Sequence, residues 1–131
     1  MAPGLKRAFG RTFSVREGMK KSRIDFLGSR LVAGFGKVQP GNVSYYEQRA
    51  RSKLWQMRVL RDYMQQHELI EIPHVDLLLN TPATYTSDRE RTAVENTINL
   101  IEAEADMGKI RLFRFADAEA AAAHIVKREA A

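Results

Sequence analysis

Catalysis and metal binding need particular side chains at particular spacings, and this chain offers few of them. Its three histidines are His67, His74 and His124. None makes the HExxH pattern that sets two imidazoles on one helix face around zinc. His67 and Glu71 are four apart, but Pro73 disfavours helical geometry just before itself, so the pair has no shared face. Cysteine is absent. That excludes a thiolate zinc site, an iron–sulfur cluster, a disulfide scaffold and a cysteine nucleophile. Ser, His and Asp occur only as scattered residues, with no nucleophile-elbow context. Glu102 and Glu104 are two apart, so on a helix they diverge rather than pair. Gly34-Phe35-Gly36-Lys37 has a superficial likeness to a phosphate loop, but no Ser or Thr follows the lysine and no strand is expected before it. It reads as a turn. No catalytic residue, metal ligand, cofactor or small-molecule substrate is assigned, and the expectation is a protein that is not an enzyme.

Charge is more informative. The 131 residues carry a net charge of +5, unevenly distributed. Residues 1–63 hold 14 Lys and Arg against 4 Asp and Glu, a balance of +10, while residues 64–131 hold 7 against 12, a balance of −5. Such asymmetry suits a chain whose first half meets an anionic surface. Residues 1–23 contain seven basic side chains and one acid, Glu17, with Leu5, Phe9 and Phe13 interspersed. An Arg-rich, acid-poor start of this kind suits mitochondrial targeting, and it lacks the continuous apolar stretch of a secretory signal. Arg11-Thr12-Phe13-Ser14 resembles a matrix-peptidase cleavage pattern. Residues 1–13 are therefore expected to be a basic arm or a retained targeting-like segment, with residues 14–131 one domain. No apolar run approaches the roughly 18 residues of a membrane span.

The elements that would position these residues read mostly as helices. Ser14 and Glu17 form a capping box. Ile24, Leu27 and Leu31 follow at spacings of four and three, which predicts a helix over 15–33. Ser44 and Glu47 form a second box ahead of a helix over 45–68, with Tyr46, Ala50, Leu54, Met57, Leu60 and Met64 in one stripe and Trp55, Val59 and Tyr63 beside it. Pro73 interrupts, and residues 75–79 read as a short helical turn. Ser87 and Glu90 open a third helix over 88–107, with Val94, Ile98, Ile101 and Ala105 inward. Glu102, Glu104 and Asp106 crowd its C-terminal end, where negative charge is unfavourable; solvent or the chain's own basic half could relieve it. Gly108 marks a stop. Residues 109–115 alternate like a strand, suited either to the sheet edge of another chain or to an extended packed loop. Asp117 caps a last helix over 118–129 built largely of alanine. The expected fold is mainly α: about four helices, a basic N-terminal arm and at most one short strand near 109–115.

The helix over 45–68 is the candidate partner-binding surface, through Arg49, Lys53, Trp55, Arg58, Arg61 and Tyr63. Only Glu47 and Asp62 are acidic there. The stretches Val59-Leu60-Arg61-Asp62-Tyr63-Met64, His67 and Pro73-His74-Val75-Asp76-Leu77-Leu78 loosely resemble the middle of the LYR-type matrix-arm accessory subunits of respiratory complex I. Thr97-Ile98-Asn99 and Leu112-Phe113-Arg114-Phe115 extend the likeness a little, but no Leu-Tyr-Arg triplet stands in residues 26–30. The expectation is a non-catalytic accessory subunit of a mitochondrial respiratory-chain or ATP-synthase complex, in the matrix or at the inner-membrane surface. Its partners would be other subunits, with anionic lipid headgroups also suited to the basic face. The alternative is a mitochondrial ribosomal protein whose helix 45–68 contacts ribosomal RNA.

Overall fold

The computed structural model describes residues 9–13, 22–68 and 72–130. Among these residues five strands form one sheet in chain order: β1 Phe9–Phe13, β2 Ser22–Leu27, β3 Leu31–Lys37, β4 His74–Asn80 and β5 Arg111–Phe115. Three helices accompany them among the described residues: α1 Val43–Tyr63, α2 Asp88–Met107 and α3 Ala118–Ala130. The fold is α/β. The expectation of a mainly helical domain with at most one short strand is overturned.

The N-terminal part departs most from its sequence reading. The segment expected as a helix over 15–33 contains β2, a tight turn at Gly28-Ser29-Arg30, and the start of β3. The amide of Gly28 closes that turn onto the carbonyl of Leu31 at 2.9 Å. β2 lies antiparallel between β1 and β3, and its apolar residues are divided between the two core layers. Ile24 belongs to one core layer and Phe26 to the other. A strand covered on both sides loses its alternation, and its apolar spacing can then imitate a helix. The Ser14–Glu17 capping box lies outside the described residues. β1 occupies part of the segment expected as a basic arm.

The second half of the sheet is parallel. β4 pairs with β3 from Leu31↔His74 to Lys37↔Asn80, and β5 pairs with β4 from Asp76↔Arg111 to Asn80↔Phe115. Residues 75–79, expected as a helical turn, are thus an inner strand. β5 pairs with β4 within the chain and forms one edge of the sheet. Gly34 and Gly36, read as a turn, lie inside β3, where Gly34 has a specific purpose. A Cβ there would stand 2.6 Å from the Met57 sulfur, so a side chain at this position would force Met57 and Lys53 of α1 to shift.

α1 and α2 lie over one face of the sheet. Leu54, Met57 and Leu60 of α1 and Val94, Ile98 and Ile101 of α2 share one core with Val32, Val75, Leu77 and Leu79. α3 covers the other face, where Ile125 packs with Phe26, Leu31, Ala33 and Leu78. The helix boundaries follow local chemistry. Asn42, rather than Ser44, caps α1, its side-chain oxygen accepting the Tyr45 N–H at 3.3 Å. The helix therefore starts two residues before its expected point and ends in a wide π-type turn over Met64–Glu68. Ser87 accepts the Glu90 N–H at 3.2 Å, and Asp117 accepts the Ala120 N–H at 2.7 Å, as their positions predict.

Candidate docking surface

The six side chains singled out on α1 divide into an inner and an outer set. Lys53 reaches the Asp25 carboxylate on β2 at 2.7 Å, and the same carboxylate oxygen accepts the Phe35 N–H at 2.8 Å. Arg61 is almost covered, with 14% of its side chain exposed. It donates to the carbonyls of Gly108 at 2.6 Å and Lys109 at 3.4 Å. Tyr63 is half-buried and stacks on His67 with ring centroids 4.8 Å apart. Arg49, Trp55 and Arg58 form the outer set. Trp55 is 60% exposed. At 3.6 residues per turn it lies opposite the buried line of Ala50, Leu54, Met57 and Leu60. Arg49 sits 5.6 Å from the exposed Tyr45 ring. Arg58 has no acidic partner among the described residues, and its stem lies over Gly108.

Of the acids at the end of α2, Glu102 and Asp106 are exposed to solvent, while Arg61 reaches the terminal carbonyls. That helix closes with Ile110 N–H on the Ala105 carbonyl at 2.8 Å and Lys109 N–H on the Asp106 carbonyl at 3.0 Å. This is a Schellman closure with Lys109 in the left-handed position, at φ 57°. A cation on the terminal carbonyls is the favourable partner for that end of a helix. The basic first half supplies it, and Arg51 adds a looser contact with Glu104 at 3.9 Å. Leu100 and Met107, four before and three after Glu104, are 51% and 77% exposed. The outer side of the α1–α2 seam therefore carries Trp55 with Arg51 and Arg58 on one bank. Leu100, Glu104 and Met107 form the other bank. A polar cleft of about 410 Å³, rimmed by Arg58, Arg61, Asp62 and Lys109, opens at the end of the seam.

The opposite face holds a cluster that the sequence reading missed. Asp76, fully buried in the middle of β4, accepts from Arg128 Nε at 2.7 Å and Nη2 at 2.8 Å. His124 Nε2 lies 2.9 Å from the same carboxylate. The His124 ring packs on Phe113 and Phe115, with centroids 4.2 and 5.3 Å away. The Arg128 guanidinium carbon is 5.4 Å from the Phe113 ring centroid. His74, two residues before Asp76, has its Nε2 buried without a hydrogen-bond partner. Burial, then the Arg128 charge, lowers its pKa, while Asp76 opposes them. Glu129 accepts from the Ser29 hydroxyl at 2.8 Å and the Arg30 N–H at 2.6 Å. A Cβ on Gly28 would overlap that carboxylate. Glu129 thus ties the far end of α3 to the β2–β3 turn.

An Asp–His contact supplies two members of a catalytic triad, but this carboxylate is also held by two bonds from Arg128, and no hydroxyl hydrogen-bonds His124 among the described residues. The cluster anchors α3. An acid inside the run Val-Asp-Leu-Leu-Leu was the available signal. Once that run is a buried strand, its carboxylate requires a buried cation, and His124 and Arg128 stand one helical turn apart to provide it.

An apolar cleft of about 300 Å³ opens at the carboxyl ends of β3, β4 and β5, where Phe35, Leu78, Phe115, Ala121 and Ile125 line it. Parallel α/β sheets place ligands at that end. Of its polar groups, Asn80 Oδ1 accepts from the Gln39 amide at 3.1 Å and Asp117 Oδ1 accepts the Ala120 N–H at the start of α3. The rest of the lining is apolar. Among the described residues no three His, Asp or Glu side chains converge as metal ligands, and no helix is long and apolar enough to cross a membrane.

No family model, no curated protein and no solved structure matches the chain. Within the stretch that resembles the LYR-type subunits, residues 74–78 belong to the inner strand β4.

Proposed function

We propose that this chain is a non-catalytic subunit that docks into a larger assembly through the outer face of α1, against an acidic protein surface. The observation that supports it best is Trp55, 60% exposed at the centre of a 21-residue helix. Two of its neighbours on the helix surface, Arg51 and Arg58, are arginines. Tryptophan, tyrosine and arginine dominate the energetics of protein interfaces, because each buries a large area and retains a polar handle. Tyr45, Arg49, Trp55 and Arg58 are the residues we assign to the contact. Lys53 and Arg61 belong to the internal framework that holds α1 on β2 and α2. A respiratory-chain or ATP-synthase complex in mitochondria is the setting that the N-terminal composition favours. Ribosomal RNA is the second reading, favoured by the same arginines beside stackable rings.

Co-purification of the tagged chain from gently solubilised mitochondria, with and without ribonuclease, tests this. Capture of protein subunits that survives ribonuclease, and is lost with Trp55→Ala/Arg58→Ala at unchanged melting temperature, is the expected result. Ribosomal proteins that scatter after ribonuclease would replace this reading with the second. Recovery of the chain alone would overturn both.

A further inference from the structure

The end of α2 places its glycine and its lysine in the reverse of the expected order. A helix closure of this kind favours glycine at the left-handed position, where an L side chain crowds the backbone. Here the left-handed residue is Lys109, at φ 57°. The glycine stands one place earlier, and Gly108 has φ −88°, a turn value open to residues with side chains. Its backbone does not require glycine, but the space above it does. A Cβ on Gly108 would stand 2.6 Å from Cδ of Arg58. Gly108 thus seats one cation close over the chain, and Lys109 presents a second, exposed, beside it. Both line the polar cleft of about 410 Å³ at the end of the α1–α2 seam.

The charge lining that cleft is one-sided. Among the described residues, Arg58, Arg61 and Lys109 face a single carboxylate, Asp62. Arg61 is held in place, donating through Nη1 to the Gly108 carbonyl at 2.6 Å and through Nε to Asp62 at 3.4 Å. Asp106 lies on the side of α2 turned away from the seam. Two positive charges therefore remain over, gathered in a concavity that concentrates their field. We infer that this cleft binds a small phosphate monoester, its phosphate between Arg58, Arg61 and Lys109. Such a group carries a charge of about −1.5 to −2 at pH 7, which matches the excess that Asp62 leaves. Guanidinium suits phosphate oxygens because its planar fork donates two parallel bonds. The esterified group has room beside the phosphate, with Ile72, Pro73 and Met107 in apolar contact. The site adjoins the docking face, shares Arg58 with it, and does not depend on the docking reading.

Calorimetric titration and amide NMR of the full chain test this. The probes are inorganic phosphate and phenyl phosphate, with phenol and sodium chloride at matched ionic strength as controls. Both phosphates are expected to saturate, phenyl phosphate the tighter, with shifts centred on Arg58, Arg61, Gly108 and Lys109. Lys109→Gly removes the ammonium and gives the left-handed position the residue it favours. It should bind at least about tenfold more weakly while melting no lower than the wild type. Gly108→Ala, which displaces Arg58, should also weaken binding. Unchanged binding in either variant overturns the inference. So does a failure to saturate, or a set of shifts that sodium chloride reproduces. Equal affinity for the two phosphates overturns the ester in favour of an inorganic anion. Affinity confined to a single-stranded RNA oligonucleotide overturns the small ligand in favour of the ribosomal reading. Loss of the docking reading has its own signature: co-purified partners that are retained by Trp55→Ala/Arg58→Ala.

Discussion

The two faces of the sheet are covered by different physical means. On the α1–α2 side, Leu54, Met57, Leu60, Val94, Ile98 and Ile101 interdigitate with Val32, Val75, Leu77 and Leu79. Burial of apolar area at about 25 cal/mol per Å² is the main hold on those helices, with Lys53 on Asp25 and Arg61 on the Gly108 carbonyl added at the margins. On the α3 side the helix offers chiefly methyl groups, and Ile125 is its one buried side chain among the described residues. There the position of the helix is fixed by Asp76, Arg128, His124 and Glu129. A buried ion pair adds little net stability over an apolar replacement, because desolvation offsets the attraction, but losing one partner is costly. The comparison separates adhesion from placement: α1 and α2 are adhered, whereas α3 is placed.

The largest test of that distinction is Arg128→Ala. It strands the Asp76 carboxylate in the core and should cost about 3–5 kcal/mol in urea unfolding. Asp76→Leu/Arg128→Met, which removes both charges, should recover most of the loss. A double variant as unstable as the single would break the distinction. Ile98→Ala on the other face should cost about 2–5 kcal/mol through lost transfer energy and the cavity left behind. No second substitution of a charged group should rescue it.

Next comes pH. The folded chain holds the His74 proton less tightly than the unfolded chain, whose histidine titrates near 6.5. Between the lowered folded value and 6.5 the unfolded chain therefore binds more protons. Stability should be fully present above 6.5 and decline as pH falls through the folded value. His74→Gln should flatten that part of the profile, and an unchanged slope would assign the acid sensitivity elsewhere. The smallest effect is expected at Arg114, which makes two bonds of 2.8 Å to Glu95 with a geometry like that of the Arg128 pair. Both partners are over a third exposed, so Arg114→Ala should cost under about 1 kcal/mol. Equal losses at Arg114 and Arg128 would show that burial is not what distinguishes them.

What could be read from the sequence follows the same division. α2 was expected over 88–107 and spans Asp88–Met107, because Ser87 and the 3.6-residue spacing of Val94, Ile98, Ile101 and Ala105 agree. For similar reasons the sequence predicts the starts of α1 and α3 to within two residues. β2, β3 and β4 were not legible. Strands buried on both faces carry no alternation, and the Leu-Leu-Leu of β4 suits a helix equally well by propensity. With β4 misread, Asp76 had no interior to be buried in, and its pairing with Arg128 and His124 could not be anticipated. On the docking face, composition marked α1 as basic. Only the tertiary arrangement shows that Lys53 and Arg61 turn inward, the second onto the end of a helix 47 residues away in sequence.

The thinness of the α3 contact has a consequence in time. A segment fixed by a few strong polar contacts opens as a unit, without requiring the sheet to come apart. Amides of α3 should therefore exchange with solvent through partial opening, faster than those of β3, β4 and α2, which wait for global unfolding. In each such excursion Phe26, Leu31, Ala33 and Leu78 meet water together while the rest of the fold stays intact. The lifetime of the chain at high concentration would then be set by how often that one short helix lifts, rather than by the stability of the whole.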